Sequence, residues 1–277
     1  MNWDARQRAM LEAMGLRVWT PASAPDAGAM ADEAPAVDVA PAPVPSPAPE
    51  VSRPAVAARP PVQAPVAQPV AAPTSDPARA ARIALLDEPA LREDAAACRA
   101  CGLCESRKQT VFGVGNERAH WMIVGEAPGE QEDLRGEPFV GTAGQLLDNM
   151  LRALGLARSE GTPDKQVYIC NTLKCRPPRN RNPEPAELDA CEPYLMRQIA
   201  LVQPRIILAM GRFAVQQLLR SNEAIGRLRG RVHTYQGVPL IVTYHPAYLL
   251  RNLADKALAW DDLCLAREVY ESTGTGA

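Results

Sequence analysis

The amino-acid sequence predicts an α/β fold, three-layer α/β/α, with a central and mostly parallel four-stranded sheet. Three observations carry that expectation. Four short apolar runs read as buried strands, and segments with apolar residues at helical spacing alternate with them. Strands that alternate with helices imply a parallel sheet covered on both faces. The third observation is positional: the most distinctive motifs fall just past strands, where ligands bind in such sheets.

Taken in order, residues 82–97 read as a helix leading into Cys98, and residues 120–125 (HWMIVG) as the first strand. Residues 144–154 place Leu146, Leu147, Met150, Leu151 and Leu154 on one helical face. Residues 167–171 form the second strand, 184–200 a helix, and 205–210 (RIILAM) the third strand. A helix over 213–219, a fourth strand over 238–244 and a closing helix over 254–270 complete the pattern. GEAPGEQED follows the first strand, NTLKCRPP the second and HPAYLL the fourth.

Composition sets the limits of the folded part. Fifteen of the 27 prolines lie between Pro21 and Pro77, in a stretch otherwise mostly Ala and Val. Too few large apolar side chains remain there to offset the entropy of ordering. Residues 21–78 therefore read as a disordered linker and residues 79–277 as the folded domain. Residues 1–20 place Met10, Leu11, Met14 and Val18 at helical spacing beside Trp3 and Trp19, as in a short amphipathic helix that docks a protein partner.

The net charge of −2 is unevenly spread, with 5 basic and 8 acidic side chains in residues 1–78 against 25 and 24 in residues 79–277. A near-neutral domain attracts nucleic acid only through local patches. Two basic runs qualify, one at Lys174, Arg176, Arg179 and Arg181, the other at Arg227, Arg229 and Arg231. No run approaches the roughly 18–20 apolar residues of a membrane span, and the N-terminus has no signal-peptide core. A cytoplasmic monomer with no membrane role is expected.

Disulfides are rare in that compartment, so the seven cysteines need another account. Cys98 and Cys101 form a C-x2-C pair in CRACGLC, and Cys175 and Cys191 lie far along the chain. Four soft thiolates suffice for zinc or for an iron–sulfur cluster. Cys104 offers a competing thiol, so spacing alone leaves metal and ligand set open. Either metal would tie the segment around Cys98 to the loop carrying the first basic run. Cys170 and Cys264 read as small core residues.

Taken together, CRACGLC, VFGVG, GEAPGEQED, GEPFVGTAGQLLD, YICNTLKCRPPRNRNP and TYHPAYLLR resemble the family 4 (thermostable-type) uracil-DNA glycosylases across about residues 95–270. The resemblance implies the uracil-DNA glycosylase fold. It also implies a DNA N-glycosylase, a hydrolase that cuts uracil from DNA and leaves an abasic site for base-excision repair. A [4Fe–4S] cluster on Cys98, Cys101, Cys175 and Cys191 is implied as well, with Cys104 outside the quartet as a substitute for a lost ligand.

Cleavage of an N-glycosidic bond produces an oxocarbenium-like sugar and a uracil anion. The site must hold an extruded base, stabilise negative charge and deliver water. By resemblance, His245, rigidified by Pro246, donates to uracil O2, while Asn171 reads O4 and N3 through its amide. His120 and His233, one opening an apolar strand and one in a basic loop, lack such a setting. Phe139 stacks on the base, and the turn containing Gly125 and Ala127 brings backbone amides to it. Glu126 orders water or the site, and Glu132 fills the space a thymine methyl would need, with Glu130 as an alternative carboxylate. In the vertebrate and enterobacterial glycosylases an Asp and a Tyr occupy the positions held here by Ala127 and Gly129. Leu249 wedges into the base stack, and Lys174, Arg176, Arg179, Arg231 and Arg251 contact phosphates.

Other readings compete. One is a metal-cluster module that recognises damaged bases without cleaving them, another a glycosylase for other deaminated bases. A third type, trapped covalently on DNA through a His ahead of the last cysteine, is disfavoured because residues 172–190 hold no His. A polymerase-associated protein would suit the N-terminal helix but leaves the site residues unexplained.

Overall fold

The computed structural model describes residues 76–159 and 161–274; the expected N-terminal helix, and the expected linker up to residue 75, lie outside them. The first two described helices are α1 (Pro77–Ile83) and α2 (Glu88–Ala97). The sequence reading expects one helix here. The chain breaks because Asp87 caps a new start, its side chain accepting from the Ala90 N–H at 3.0 Å, with Pro89 in the first turn.

Among the described residues the sheet has six strands, in the order β1–β3–β2–β4–β6–β5. They are β1 (Val114–Gly115), β2 (Trp121–Gly125), β3 (Val167–Asn171), β4 (Ile206–Met210), β5 (Val232–Tyr235) and β6 (Val238–Thr243). The four expected strands β3, β2, β4 and β6 run parallel. Two antiparallel edges correct the expected total of four strands. Neither edge has an apolar run to betray it: β1 is two residues long, and β5 alternates exposed with half-buried residues. His233, expected in a loop, sits in β5 with Nε2 2.7 Å from the Leu228 carbonyl oxygen.

Parallel strands covered on both faces are apolar on both faces. Trp121 and Ile123 of β2 join Val167, Ile169, Ile206 and Leu208 on one side, beneath α5 (Thr142–Ala153) and α10 (Asp255–Gly274). Met122, Val124, Tyr168, Cys170, Ile207 and Ala209 face the other side, beneath α6 (Pro185–Val202) and α7 (Arg212–Leu219). Short helices α3 (Leu103–Ser106), α4 (Glu130–Arg135), α8 (Ile225–Leu228) and α9 (Pro246–Leu249) fill the connections.

Register fixes where the site falls. Gly125 pairs with Asn171, and Met210 with Thr243, so the carboxyl ends of all four parallel strands share one rim. The chain reverses its winding direction between β2 and β4, the position at which such sheets open a ligand crevice.

Candidate active site

A cleft of about 930 Å³ opens at that rim. Of the residues singled out from the sequence, Glu126, Ala127, Glu132, Phe139, Asn171, His245 and Arg251 all line it. Gly125 lies beneath. A side chain there would collide with the Asn171 amide oxygen and come within 2.6 Å of the Phe139 ring, so those two groups converge over its bare Cα.

Asn171 is 2% exposed, and its Oδ1 is buried with no hydrogen-bond partner. An acceptor left so costs on the order of 1–3 kcal/mol, which a ligand donor would recover.

Phe139 stacks on His245 with ring centroids 5.3 Å apart and planes at 27°. Its backbone is left-handed, with φ of 55°, a strained state that persists only when its surroundings impose it. Glu132 and Arg158 do so. The Glu132 carboxylate accepts from the amides of Gly129 (3.1 Å), Val140 (2.9 Å) and Gly141 (3.1 Å). Arg158 donates to the carbonyls of Pro138 at 2.8 Å and Phe139 at 3.0 Å, and pairs with Asp148. Gly144 lies so close to the Phe139 carbonyl that any side chain would clash.

His245 caps α9, its Nδ1 accepting from the Ala247 N–H at 3.2 Å. With Nδ1 an acceptor, the neutral ring carries its proton on Nε2. Burial pushes the His245 pKa down to about 4, Arg251 adds to the fall, and Glu132 opposes it. At neutral pH the ring is therefore an uncharged N–H donor.

Glu126 has a firm structural partner. Its Oε1 accepts from the Phe213 amide at 3.0 Å, at the start of α7. Burial raises its pKa, and the Phe213 and Arg212 amides pull it back. Thus the turn after β2 is pinned to the turn after β4, across the crevice. Glu130 is exposed, lies 3.8 Å from Arg176 and is not among the cleft-lining residues.

Two expected contacts need correction. Lys174 is 1% exposed, so it cannot meet a phosphate; the long apolar stem of a lysine gives no warning when its head is buried too. Leu249 is 0% exposed and belongs to the core. Its neighbour Leu250 is 41% exposed, since one residue of helix rotation turns an inward side chain outward. Arg176, Arg179 and Arg231 are not among the cleft-lining residues. Arg176 bonds Asn180 Oδ1 at 2.8 Å, Arg179 is exposed with φ of 54°, and exposed Arg231 donates to the Arg227 carbonyl.

Sequence reasoning gave no site role to Arg212, Phe213, Tyr244 and Tyr248, all in the cleft wall; Arg181, singled out only as part of a basic run, joins them there. For Arg212 and Phe213 the signal was available. Motifs were sought after the first, second and fourth strands, yet the rule that points to strand ends applies equally to the third.

Cys98, Cys101, Cys104, Cys175 and Cys191 line one small cavity with the small residues Ala95, Ala100 and Ala190. Among the described residues no three His, Cys, Asp or Glu side chains close on a single ion. The donor set suits a thiolate-bound centre enclosed as a volume. Arg107 donates to Cys175 Sγ at 3.1 Å, Arg79 to Cys98 Sγ at 3.4 Å, and the Lys174 amide to Cys191 Sγ at 3.4 Å. N–H bonds to sulfur are a normal means of tuning such centres. Cys170 is buried in β3, and Cys264 packs against the core from α10.

A doubly wound sheet whose rim holds a stacked Phe–His pair beside a buried, unsatisfied amide defines a class. The sequence profile of the Uracil DNA glycosylase superfamily matches residues 112–264, the span holding the sheet and the cleft wall. Type-4 uracil-DNA glycosylases are similar over most of their own lengths. The Archaeoglobus fulgidus protein is 45% identical over 161 residues, covering 55% of this chain and 78% of the relative. That of Saccharolobus solfataricus is 42% identical over 184 residues (63% and 82%), and that of Pyrobaculum aerophilum 43% over 178 (61% and 87%). The chain belongs to the type-4 uracil-DNA glycosylase family. Among the described residues no helix is long and apolar enough to cross a membrane.

Proposed function

We propose that this chain releases uracil from DNA by hydrolysing its N-glycosidic bond, in the manner its family name describes. The observation that carries the site assignment is the unpartnered Asn171 Oδ1, buried where the Phe139–His245 stack opens into the cleft. An amide there accepts from N3–H and donates to O4 of uracil; cytosine offers the reverse pattern and leaves both unpaired. Rejection by unpaired buried groups is the stronger form of selectivity.

Phe139 stacks on the extruded base. The neutral His245 Nε2–H donates to O2, where charge collects as the bond breaks. Its value lies in being already aimed and already uncharged, so the developing anion meets a fixed dipole in a site with little water. Glu126 orders the site by holding the turn at Gly125 and Ala127 against α7. Arg212 and Arg251, both exposed at the cleft, meet the phosphates, and Leu250 replaces Leu249 as the wedge.

The cysteines hold a [4Fe–4S] cluster in this reading. Their common cavity, three N–H donors to sulfur and the family resemblance support it. Such a cluster would supply a rigid cross-link between the α2–α3 segment and the start of α6. Iron, sulfide and zinc assays on anaerobically purified protein test it: stoichiometric zinc would replace the cluster with a single ion.

The function itself is tested by uracil release from defined oligonucleotides. Wild-type protein should release it, and H245A should lose about 100-fold or more, the range for one positioned donor to a developing anion. Binding of uracil-containing DNA with no release by the wild type would turn the reading to a recognition module.

A further inference from the structure

Lys174 is buried away from any phosphate, yet its surroundings are highly specified. The side chain is 1% exposed, and both acceptors of its Nζ are uncharged: the Asn171 carbonyl at 2.6 Å and Gln198 Oε1 at 2.6 Å. Gln198, itself 1% exposed, is held in turn by donating to the Phe112 carbonyl at 2.9 Å and the Tyr168 hydroxyl at 3.0 Å. The Lys174 backbone amide donates to Cys191 Sγ, and the residue lines the cysteine cavity.

The group at the other end of this chain of contacts is the base-reading residue. With no partner on Asn171 Oδ1, its aim depends on the backbone from which the side chain springs. The neighbouring peptides are pinned, Thr172 N–H to the Gly125 carbonyl at 3.0 Å and Leu173 N–H to the Glu126 carbonyl at 3.1 Å. The Asn171 carbonyl points away from that pairing, into the grip of Lys174.

We propose that Lys174 is a positioning residue for base recognition, a buried strut that fixes the Asn171 peptide from the cysteine side of the loop so that its amide faces the extruded base. The inference rests on the assignment of Asn171 as base reader. A burial cost this large is explained by precision at the pocket, because an apolar side chain of the same length would fill the space without it. The strut also gives the cysteine centre a mechanical route to the cleft, four residues away in the chain.

The test uses full-length protein: wild type, K174M, N171A and the double variant. Inhibition by free uracil reads the base pocket, affinity for abasic-site DNA reads the rest of the surface, and bound metal reads the cysteine site. K174M should weaken uracil inhibition about tenfold or more, the scale of one buried acceptor left without its donor, with abasic-DNA affinity unchanged. Added to N171A it should change nothing further, since both act through one amide. Unchanged uracil inhibition in K174M, or effects that multiply with N171A, overturns the strut. Should K174M lose its metal, Q198L decides instead: it frees Nζ from its second anchor without touching the cysteine side, and normal uracil inhibition there overturns the proposal. If N171A is itself inhibited normally, the base-reading assignment falls, a result separate from failure of the strut alone.

Discussion

A half-buried histidine packed against an aromatic ring faces a choice between charge and contact, and His245 resolves it in favour of contact. Its pKa of about 4 arises first from burial, with Glu132 pulling the other way. An unfolded histidine takes up its proton near 6.5. Between about 6.5 and 4 the unfolded chain therefore binds more protons than the folded one, and stability falls as pH falls through that window. Full loss amounts to about 3 kcal/mol, and denaturant melts of wild type against H245Q should show it as a difference in pH slope. The same ionisation sets the rate. Uracil release should keep its acid limb close to pH 4, because the neutral donor survives to that point; a limb at 6.5 assigned to His245 would contradict the buried geometry. His245 and Asn171 were legible in the sequence because one follows a strand and the other ends one, and each has a chemistry no neighbour shares. Leu249 and Leu250 were not separable there, since adjacent leucines differ only in the face they take on a helix. Their variants should part cleanly. L250A should impair release from duplex more than from single-stranded DNA, as loss of a wedge matters only where a stack must be opened. L249A should cost about 2–5 kcal/mol of stability and treat both substrates alike. The reverse pattern would restore Leu249 to the DNA surface.

At the level of elements, the cleft is assembled by connections between loops rather than by any one loop. Glu132, in the first turn of α4, binds three amides from two turns, and Glu126 joins the ends of β2 and β4. Sequence reading found both residues, since GEAPGEQED is rich in carboxylates, but it could not see that those carboxylates are engaged by backbone amides. Partners separated by many residues leave no local pattern. The sheet was legible where strands are apolar on both faces, and the edges β1 and β5 escaped because they are short or half-exposed. A latch and a steric gate make opposite forecasts for Glu132. E132A should release the left-handed Phe139 loop and lower kcat/KM for uracil by about tenfold or more, as three half-buried amides lose their acceptor, each at a cost of up to about 1–3 kcal/mol. It should gain no activity on thymine in duplex DNA. Measurable thymine release would show that the Glu132 side chain itself excludes the methyl group.

For the molecule as a whole, the question is how a near-neutral domain holds a polyanion. Residues 79–277 carry 25 basic and 24 acidic side chains, and much of the basic set is already committed. Arg158 pairs with Asp148, Arg181 with Glu187, and Arg229 with Asp262. Lys174 is buried outright. Long-range attraction is therefore weak, and DNA affinity must come from a handful of phosphate contacts together with the base pocket. The dependence on salt follows directly. Each phosphate neutralised adds about −0.9 to the slope of log K against log salt for duplex DNA. Arg212 and Arg251, with Arg179 beyond the cleft, account for a slope of roughly −3, measured by titrating abasic duplex at several salt concentrations. R212A and R251A should each make that slope shallower by about 0.9 and leave inhibition by free uracil unchanged, since they do not touch the base. A wild-type slope several times steeper would mean that DNA runs across the basic run at Arg227–Arg231 as well, and that the cleft is only part of the footprint.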